Sequence, residues 1–524
     1  MLKLNKDEII RLLEKRFEND LHKSLSTIPK PCIFKDMPKA ASRIVKAIKN
    51  NEKIAVVGDY DVDGIISSII IDEFFTNIGV KIDVKIPNRF SDGYGINEDI
   101  VKELDADLII TVDNGILAYE AANKCKDLGI DLIITDHHMP GEILPNAYAV
   151  INPKRDDCDF SKYSNCEICG AQVAWWLCGA IKQELQIEYN MASFLDLLCI
   201  AIMADMMSLN DINHILVKHG IKEINKMNRP VFRVLKDRFN KKFFDYESIP
   251  FLIAPLLNAS GRMDDASISY EFLKSTDYDR ANELLDIIEK LNQERKIQES
   301  QSYQNSLSFV NENDNVIIAY SKDWHKGILG IVAGRLAKDF NKPSFVFNIE
   351  DNIAKGSARS VAGVDILKLL DEVSDILDNY GGHKGAAGMS LSESNLEKLK
   401  DRLNNIKITY DDSGFCNTQE TLGELSFNDI DMELLDILAS YEPFGQGNEK
   451  PYFVSKEVMI KSPILLKNKH LKCYIVKDNK SIEAIYFNCD RVLKDGDFVN
   501  IHYSLQKNYF KTNPTIQINI ANIY

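Results

Sequence analysis

Five short apolar runs, separated by helical segments, constrain the fold of this chain more than any other feature. They begin at positions 54, 82, 108, 132 and 147 and read IAVVG, IDVKI, LIITV, LIIT and AYAVI. Strands that alternate with helices in this way form a parallel sheet with helices on both faces. Residues 51–265 are therefore predicted to form a parallel-sheet α/β domain, completed by apolar helices such as FLDLLCIAIMADMM.

The remaining segments each have their own pattern. Residues 1–50 are predicted to be a helical segment, because IIRLLEKRF and MPKAASRIVKAIKN have helical apolar spacing. The charge-rich run within 266–312 fits either a helix connecting two domains or an ordinary surface helix. Strands and helices alternate again over 313–408 as VIIAY, ILGIVAGRLAKDF, PSFVFN and DILKLLDEVSDIL, which predicts a second α/β domain. About five short β-rich runs over 412–524 predict a C-terminal β-barrel resembling an OB-fold.

Acidic residues follow three strands of the first predicted sheet. The side chains concerned are Asp59, Asp61 and Asp63 after IAVVG, Asp113 after LIITV, and Asp136, His137 and His138 after LIIT. Ligands of an open parallel sheet bind beyond the carboxyl ends of its strands, so these side chains are expected to converge. A single Asp after a strand is more often a turn residue or helix N-cap, so the prediction depends on the whole set.

Clustered carboxylates repel one another, and a bound divalent cation removes the conflict. Oxygen ligands with one or two imidazoles suit Mn²⁺ or Mg²⁺ better than a metal that prefers thiolates. Two such ions about 3.5–4 Å apart stabilise both the attacking and the leaving oxygen of a phosphoryl displacement. The cluster therefore predicts a site for phosphate-ester hydrolysis.

Specific motifs extend this prediction along nearly the whole chain. GDYDVDG, IPNRFSDGYG, TVDNG and DHH, in this order, resemble the first motifs of the DHH phosphoesterases. IAIMADMMSLN and NASGRMDDAS resemble later motifs of that family, and WHKGILGIVAGRL, KGSARS and GGHKGAAG resemble its DHHA1 domain. YEPFGQGNEKP resembles the segment that leads into the OB-fold of the RecJ-type exonucleases within the family.

The resemblance implies a 5′→3′ exonuclease specific for single-stranded DNA, which uses two Mn²⁺ or Mg²⁺ ions in DNA repair and recombination. The implied metal ligands are Asp59 and Asp61 for one ion, Asp63, His137 and Asp205 for the other, and Asp113 between them. The resemblance gives Asp136 and His138 supporting catalytic roles, as a partner behind the ligands and as a phosphate-side or acid group.

Substrate-binding residues are implied in three of the later motifs. Arg262, Ser357 and Arg359 would hold the terminal 5′ phosphate, since a guanidinium can bind two phosphate oxygens at once. For any one of these arginines, a surface salt bridge is the alternative. His383 lies among small residues that allow close approach of a ligand, and the alternative there is a tight turn before a strand.

The chain also departs from the family pattern. Leu256 stands where the family often has Arg two residues before the Asn of the Asn-Ala segment. The segment from Cys166 to Cys169 replaces a stretch rich in Gly and Val, and it belongs to a local group with Cys158 and Cys178. The Cys166 and Cys169 pair could form half of a zinc site or a redox pair, or these cysteines could be buried thiols.

Composition limits the class of protein and leaves other functions open. A net charge of −15 argues against a protein that coats nucleic acid through massed Lys and Arg, but it allows a local basic lining. No apolar run reaches the ~20 residues that span a bilayer, and the N-terminus lacks a signal-peptide core. We therefore expect a cytoplasmic monomer, with a RecQ-type helicase and a single-strand-binding protein as implied partners. The alternatives are an oligonucleotide or cyclic dinucleotide phosphodiesterase of the same family, and a catalytically inactive scaffold that binds nucleic acid.

Overall fold

The computed structural model describes residues 2–361, 363–408, 421–467, 469–489, 491–509 and 514–524. The chain begins with a short strand, β1 (Lys3–Leu4), and two helices, α1 (Lys6–Glu14) and α2 (Met37–Asn50).

The first sheet contains the five predicted strands, all parallel. They are β2 (Ile54–Val57), β3 (Asp83–Lys85), β4 (Leu108–Val112), β5 (Asp131–Thr135) and β6 (Ala149–Ile151), in the spatial order β3-β2-β4-β5-β6. Alternate residues of β2 and β4 enter different cores: Val56 and Ile110 pack on one face, Ala55 and Ile109 on the other. Burial on both faces explains why these strands read as continuous apolar runs in the sequence.

Helices cover both faces of this sheet and then continue beyond it. They are α3 (Val62–Asn77), α4 (Glu98–Glu103), α5 (Tyr119–Leu128), α6 (Gly170–Leu185), α7 (Leu195–Ala204), α8 (Asp211–Ile224), α9 (Pro230–Arg238), α10 (Ala254–Met263) and α11 (Ser267–Lys274). Together with α2, most of them enclose the largest hydrophobic core of the molecule.

A single long helix, α12 (Tyr278–Ser306), connects this domain to the next one. Its 29 residues span about 43 Å at 1.5 Å per residue. Leu285 and Ile288, near its start, lie in the first core, whereas Tyr303, near its end, lies in a core of the second domain. Of the two interpretations that the sequence allowed, the connecting helix is therefore the correct one.

The second domain has a mixed five-stranded sheet. Its elements are β7 (Ile317–Ser321), α13 (Leu329–Phe340), β8 (Ser344–Glu350), β9 (Ile353–Arg359), α14 (Ile366–Asp371), β10 (Asn379–His383), β11 (Ala386–Ser392) and α15 (Leu396–Asn405). The spatial order is β10-β11-β9-β8-β7, and only β7 and β8 are parallel. The helix predicted from DILKLLDEVSDIL is shorter than the pattern suggested, because a 3₁₀ turn at Ser374–Ile376 redirects the chain towards β10.

The C-terminal region contains a closed five-stranded barrel, as predicted. The elements of this region are β12 (Thr421–Leu425), α16 (Met432–Ser440), β13 (Tyr452–Leu466), β14 (His470–Lys477), β15 (Lys480–Tyr486), β16 (Phe498–Asn508) and β17 (Thr515–Ile523). The barrel closes in the order β13-β14-β15-β17-β16, with β16 paired back to β13. The predicted start of this domain at position 412 lies outside the described residues.

The N-terminal segment is divided between two distant parts of the molecule. β1 pairs in parallel with β12, and Leu4, Ile9 and Leu13 lie in the core of the barrel. α2 instead packs in the core of the first domain. The helices of residues 1–50 thus bury their apolar faces against two different partners. Within the described ranges, no helix is long and apolar enough to cross a membrane.

Candidate active site

The acidic residues of the first sheet meet at the carboxyl ends of its strands. Asp59 follows β2, and Asp61 caps α3 by accepting a hydrogen bond from the Gly64 N–H at 3.1 Å. Asp113 follows β4 with a φ of 63°, a left-handed conformation that is uncommon for any residue except glycine. His137 follows β5. The crevice beyond the sheet therefore collects side chains from three strand ends, as the sequence pattern predicted.

Three overlapping groups of potential ligands share this crevice among the described residues, and in each group the ligand atoms lie within 4.8 Å of one another. One group contains Asp59, Asp61 and Asp113, and another contains Asp63, His137 and Asp205. The third group, Asp113, His137 and His138, links the other two. His137 Nε2 lies 3.2 Å from Asp113 Oδ1 and 3.6 Å from Asp205 Oδ2. The structure thus brings together all six residues that the family resemblance gave as ligands.

The charges of these carboxylates conflict in a buried environment. Burial, followed by the charges of Asp63 and Asp61, raises the pKa of Asp113 well above its ordinary value. The same causes raise the pKa of Asp205 to about 8. Asp113 Oδ1, Asp205 Oδ2 and His137 Nδ1 are buried without a hydrogen-bond partner among the described residues. Hard oxygen ligands with unused lone pairs and one imidazole fit Mn²⁺ or Mg²⁺.

The amino end of α6 contacts the carboxylates of this cluster. The N–H groups of Gly170 and Ala171 donate to the two carboxylate oxygens of Asp63, at 2.6 and 2.9 Å. A Cβ at Gly170 would lie 2.4 Å from Asp113 Oδ1, so the close approach of α6 requires glycine at this position. Neither Gly170 nor Ala171 was selected from the sequence, because backbone donors leave no signal in residue type.

The cysteine group lies beside this helix and has a packing role. Cys158, Cys166, Cys169 and Cys178 are all buried free thiols. Burial raises the pKa values of Cys169 and Cys178 well above the ordinary range, which keeps both thiols protonated. Among the described residues, the converging ligand groups contain no cysteine. Of the interpretations that the sequence left open, the geometry favours buried thiols.

Asp136 supports the turn after β5 and lies outside the ligand groups. Its Oδ1 accepts hydrogen bonds from the N–H groups of His137 and His138, at 2.7 and 3.1 Å, and lies 2.7 Å from His138 Nδ1. Burial by itself would raise the pKa of Asp136 and lower that of His138. The contact between the two side chains outweighs burial, so the pKa of Asp136 is lowered and that of His138 is raised to about 9. His138, with its side chain 47% exposed, is therefore a cation at the open side of the crevice.

A cationic pocket lies next to the ligand groups, between the first and second domains. Arg262 ends α10, and its Nη1 lies 3.5 Å from the carbonyl oxygen of Gly327, just before α13. On β9, the Arg359 Nη1 group donates to Ser357 Oγ at 3.0 Å. Burial, followed by the charge of Arg89, lowers the pKa of Arg262 to about 10 and also lowers the pKa of Arg359. Among the described residues, no carboxylate forms an ion pair with Arg89, Arg262 or Arg359. The pocket is therefore positively charged and favours an anion.

Comparison with known proteins agrees with this architecture. Three family models match the chain: the DHH family N-terminal domain at residues 53–202, the DHHA1 domain at 313–407 and the RecJ OB domain at 423–522. The single-stranded-DNA-specific exonuclease RecJ of Escherichia coli is 31% identical over 521 residues, which cover 93% of this chain and 90% of that protein. The chain belongs to the RecJ family.

Other RecJ proteins are similar to this chain in sequence or in fold. The RecJ of Bacillus subtilis is 34% identical over 89% of this chain, and the chain spans 60% of that longer protein. A RecJ from Thermus thermophilus, solved with Mn²⁺, has the same fold, with a TM-score of 0.84 over 100% of this chain and 79% of that chain, at 23% identity. An exonuclease RecJ bound to manganese aligns with 72% of this chain and 95% of its own, at 29% identity and a TM-score of 0.64.

The structure adds residues to this candidate site that the sequence pattern did not indicate. Arg89 stacks on the ring of Tyr60 at 4.2 Å and faces the pocket of Arg262 and Arg359. Tyr94 packs edge-on against His138, with 6.2 Å between ring centroids. Arg89 and Tyr94 belong to the motif IPNRFSDGYG, but they follow the short edge strand β3. Neither residue is an acid that directly follows a strand, so the pattern that predicted the metal ligands did not include them.

His383 lies at the end of the hairpin strand β10, where its Nδ1 accepts a hydrogen bond from the Gly385 N–H at 3.1 Å. Partial burial, followed by the charges of Arg359 and His138, lowers its pKa. The tight turn that was the alternative interpretation of His383 is therefore present, and the charges of Arg359 and His138 also act on its ring.

Proposed function

We propose that this protein is a metal-dependent exonuclease that hydrolyses single-stranded DNA and acts in DNA repair and recombination. The observation that supports this most strongly is the set of overlapping ligand groups in one crevice, beside a pocket of arginines that form no ion pair with a described carboxylate. The members of its family in E. coli and B. subtilis are exonucleases specific for single-stranded DNA. Solved relatives hold Mn²⁺ or Mg²⁺.

The proposed ligands are Asp59, Asp61 and Asp113 for one cation, and Asp63, His137 and Asp205 for the other. Asp113 is the proposed bridge, since its Oδ1 is also 3.2 Å from His137 Nε2. When bound, two Mn²⁺ or Mg²⁺ ions supply activation of the attacking water and stabilisation of charge on the phosphoryl oxygens.

His138 is the proposed acid or phosphate-side group, and Asp136 is its positioning residue. The contact between the Asp136 carboxylate and His138 Nδ1 orients the ring and keeps it charged at neutral pH. A charged imidazole at the open side of the crevice can pair with a phosphate oxygen or give a proton to the leaving oxygen.

Cleavage from the 5′ end is proposed from the neighbouring pocket. Arg262, Ser357 and Arg359 would bind the terminal phosphate, with Arg89 as a fourth contact and His383 at the rim. Guanidinium groups recognise phosphate oxygens in pairs, and a doubly charged end offsets the repulsion among the three arginines. A strand anchored by its 5′ phosphate presents the adjacent phosphodiester bond to the metal ligands.

The C-terminal barrel and two protein partners also have proposed roles in binding the strand. A barrel of the OB type binds single strands, so the C-terminal domain would hold the strand beyond the cleavage site. We further propose a cytoplasmic monomer that works with a RecQ-type helicase and a single-strand-binding protein, because such an enzyme requires strands that are unpaired and kept open.

The decisive experiment uses a 5′-phosphorylated single strand labelled at its 3′ end, with Mn²⁺. The proposal predicts a labelled strand that shortens progressively, and no shortening of a blunt duplex. Asp113→Ala should abolish the reaction, whereas Asp127→Ala, which removes an exposed carboxylate of α5, should leave it intact. Shortening from the 3′ end would contradict the proposed polarity.

Two other results would replace the proposal. Turnover of short oligonucleotides or cyclic dinucleotides without cleavage of the long strand would identify a small-substrate phosphodiesterase. Binding of single strands without any Mn²⁺-dependent turnover would identify an inactive scaffold.

A further inference from the structure

Phe251 is an aromatic residue whose side chain the fold leaves open to solvent. It is 80% exposed, although it lies within a π-helical turn, Ile249–Ile253, that leads directly into α10. Turns of this type are rare, and they occur frequently at functional sites. Arg262 lies near the other end of α10, so one helix separates Phe251 from the phosphate pocket.

A groove passes Phe251 on its way from the active site to the barrel. Its first part, a cavity of about 260 Å³, is lined by Met206, Asn258 and Arg262. The next part, of about 280 Å³, is lined by Met206 and Phe251 of the first domain, by Phe444 of the segment that leads into the barrel, and by Tyr452 at the start of β13. Met203, Met206 and Pro250 line both parts, so the two cavities are adjacent.

Met206 lines both parts of this groove and is also held in an unusual conformation. It directly follows the ligand Asp205, has a φ of 54° and is 69% exposed. A residue with a side chain pays conformational free energy in the left-handed region, and such positions persist where the surrounding structure fixes them. The groove thus contains two exposed apolar side chains, Met206 and Phe251, and irregular backbone geometry fixes the position of each.

Cationic side chains border the same groove. Arg295 of the connecting helix α12 lines the first part of the groove, and Arg295 and Lys296 both line a further cavity that Phe251 also lines. Arg295 is held by Glu299 at 2.9 Å, whereas Lys296 is exposed. An exposed ring between apolar and cationic side chains fits a nucleotide, whose base is flat and apolar and whose phosphate is negative.

We propose that Phe251 is a base-stacking subsite for the strand on the 3′ side of the cleaved bond, with Met206 against the other face of the base or its sugar. This inference rests on the proposed function, since it assumes that the metal ligands cleave a single strand. It also gives a physical reason for single-strand specificity. A paired base is already stacked on its neighbours in a duplex, so it cannot cover Phe251.

The test combines strand binding with strand length. A 5′-phosphorylated 12-mer carrying 2-aminopurine at successive positions is bound in EDTA, so that no hydrolysis occurs. Wild-type protein should quench the fluorescence at one or two positions, and Phe251→Ala should lose that quench and bind about 5- to 100-fold more weakly. Phe251→Trp should retain both. Phe340→Ala, at the exposed end of α13, is the matched control and should behave as wild type.

With Mn²⁺, the ratio of kcat/KM for the 12-mer to kcat/KM for a 5′-phosphorylated dinucleotide should fall in Phe251→Ala. A merely structural defect would lower both values and leave the ratio unchanged, which would overturn the inference. Wild-type affinity and quench in Phe251→Ala would overturn it while leaving the exonuclease intact. If the wild-type protein neither binds nor cleaves the 12-mer, the proposed function itself fails.

Discussion

At the scale of single residues, Gly170 shows how tightly the candidate metal site is built. Its N–H donates to Asp63, and its missing side chain allows Asp113 to approach. A methyl group at this position would have to displace one of two carboxylates that belong to different ligand groups. Positioning partners of this kind typically contribute 10–100-fold to metal affinity.

Gly170→Ala should therefore weaken Mn²⁺ binding at least tenfold, measured by calorimetry, and reduce the thermal stabilisation by saturating Mn²⁺. Gly179→Ala is the matched control on the same helix, since its Cβ would meet only Pro31 Cγ at 3.3 Å. Unchanged Mn²⁺ affinity in Gly170→Ala would show that α6 does not hold the site.

At the scale of elements, β9 explains how a short motif can face a ligand. Successive side chains of a strand point to opposite faces, so Ser357 and Arg359 lie on one face while Ala354 and Ala358 enter the core on the other. The beginning of α13 lies against this outer face, where a Cβ at Gly330 would be 2.8 Å from Arg359 Nη2. The strand thus fixes the guanidinium at the domain boundary.

Arg359→Lys should reduce the preference for 5′-phosphorylated over 5′-hydroxyl strands by about tenfold, because an ammonium cannot bind two phosphate oxygens in parallel. The measurement is kcat/KM for the two strands under the same Mn²⁺ concentration. Lys355→Ala, on the same face of β9 but exposed, serves as the control. An equal loss on both strands would argue against recognition of the terminal phosphate.

At the scale of the whole molecule, three distant segments meet at His214 of α8. Phe17 lies 4.8 Å from its ring, between centroids, and the carbonyl oxygen of Tyr441 lies 3.3 Å from its Nε2. Burial, despite the contact with Tyr441, lowers the pKa of His214 to about 4. The N-terminal segment, the first domain and the chain leading into the barrel are thus joined around a neutral imidazole.

Protonation of His214 should weaken this junction. The unfolded chain takes up the proton near pH 6.5 and the folded chain only near pH 4, so this residue contributes stability above pH 6.5 that is lost as pH falls towards 4. The full loss is about 3 kcal/mol, from a shift of roughly 2.5 pKa units. Glu442, nearby, has a pKa raised by burial to about 7 and acts in the opposite direction over part of this range.

His214→Gln should therefore make the free energy of unfolding less dependent on pH between 6.5 and 4 than it is in the wild-type protein. The comparison is made by urea unfolding of both proteins at each pH, so that the contribution of Glu442 cancels. Parallel pH profiles for the two proteins would contradict the role assigned to His214.

The sequence by itself determined the elements and the chemistry of the metal cluster. Continuous apolar runs identified β2, β4 and β5 of the first sheet, because both faces of these strands are buried and consecutive residues are therefore apolar. Because the carboxyl ends of parallel strands lie at one edge of a sheet, the chain order alone predicts that Asp59, Asp113 and His137 lie close together. Both signals are local, so periodicity and chain order are sufficient to detect them.

The tertiary structure decided what depends on distant segments. Arg89, Arg262 and Arg359 come from three parts of the chain and form one pocket only when α12 sets the two domains side by side. β1 joins the barrel of a domain that begins some 400 residues later, and Phe251 becomes a groove wall only because the barrel lies opposite. Periodicity reports which face of an element is buried, but the partner that covers that face is selected by the shape and packing of the whole molecule.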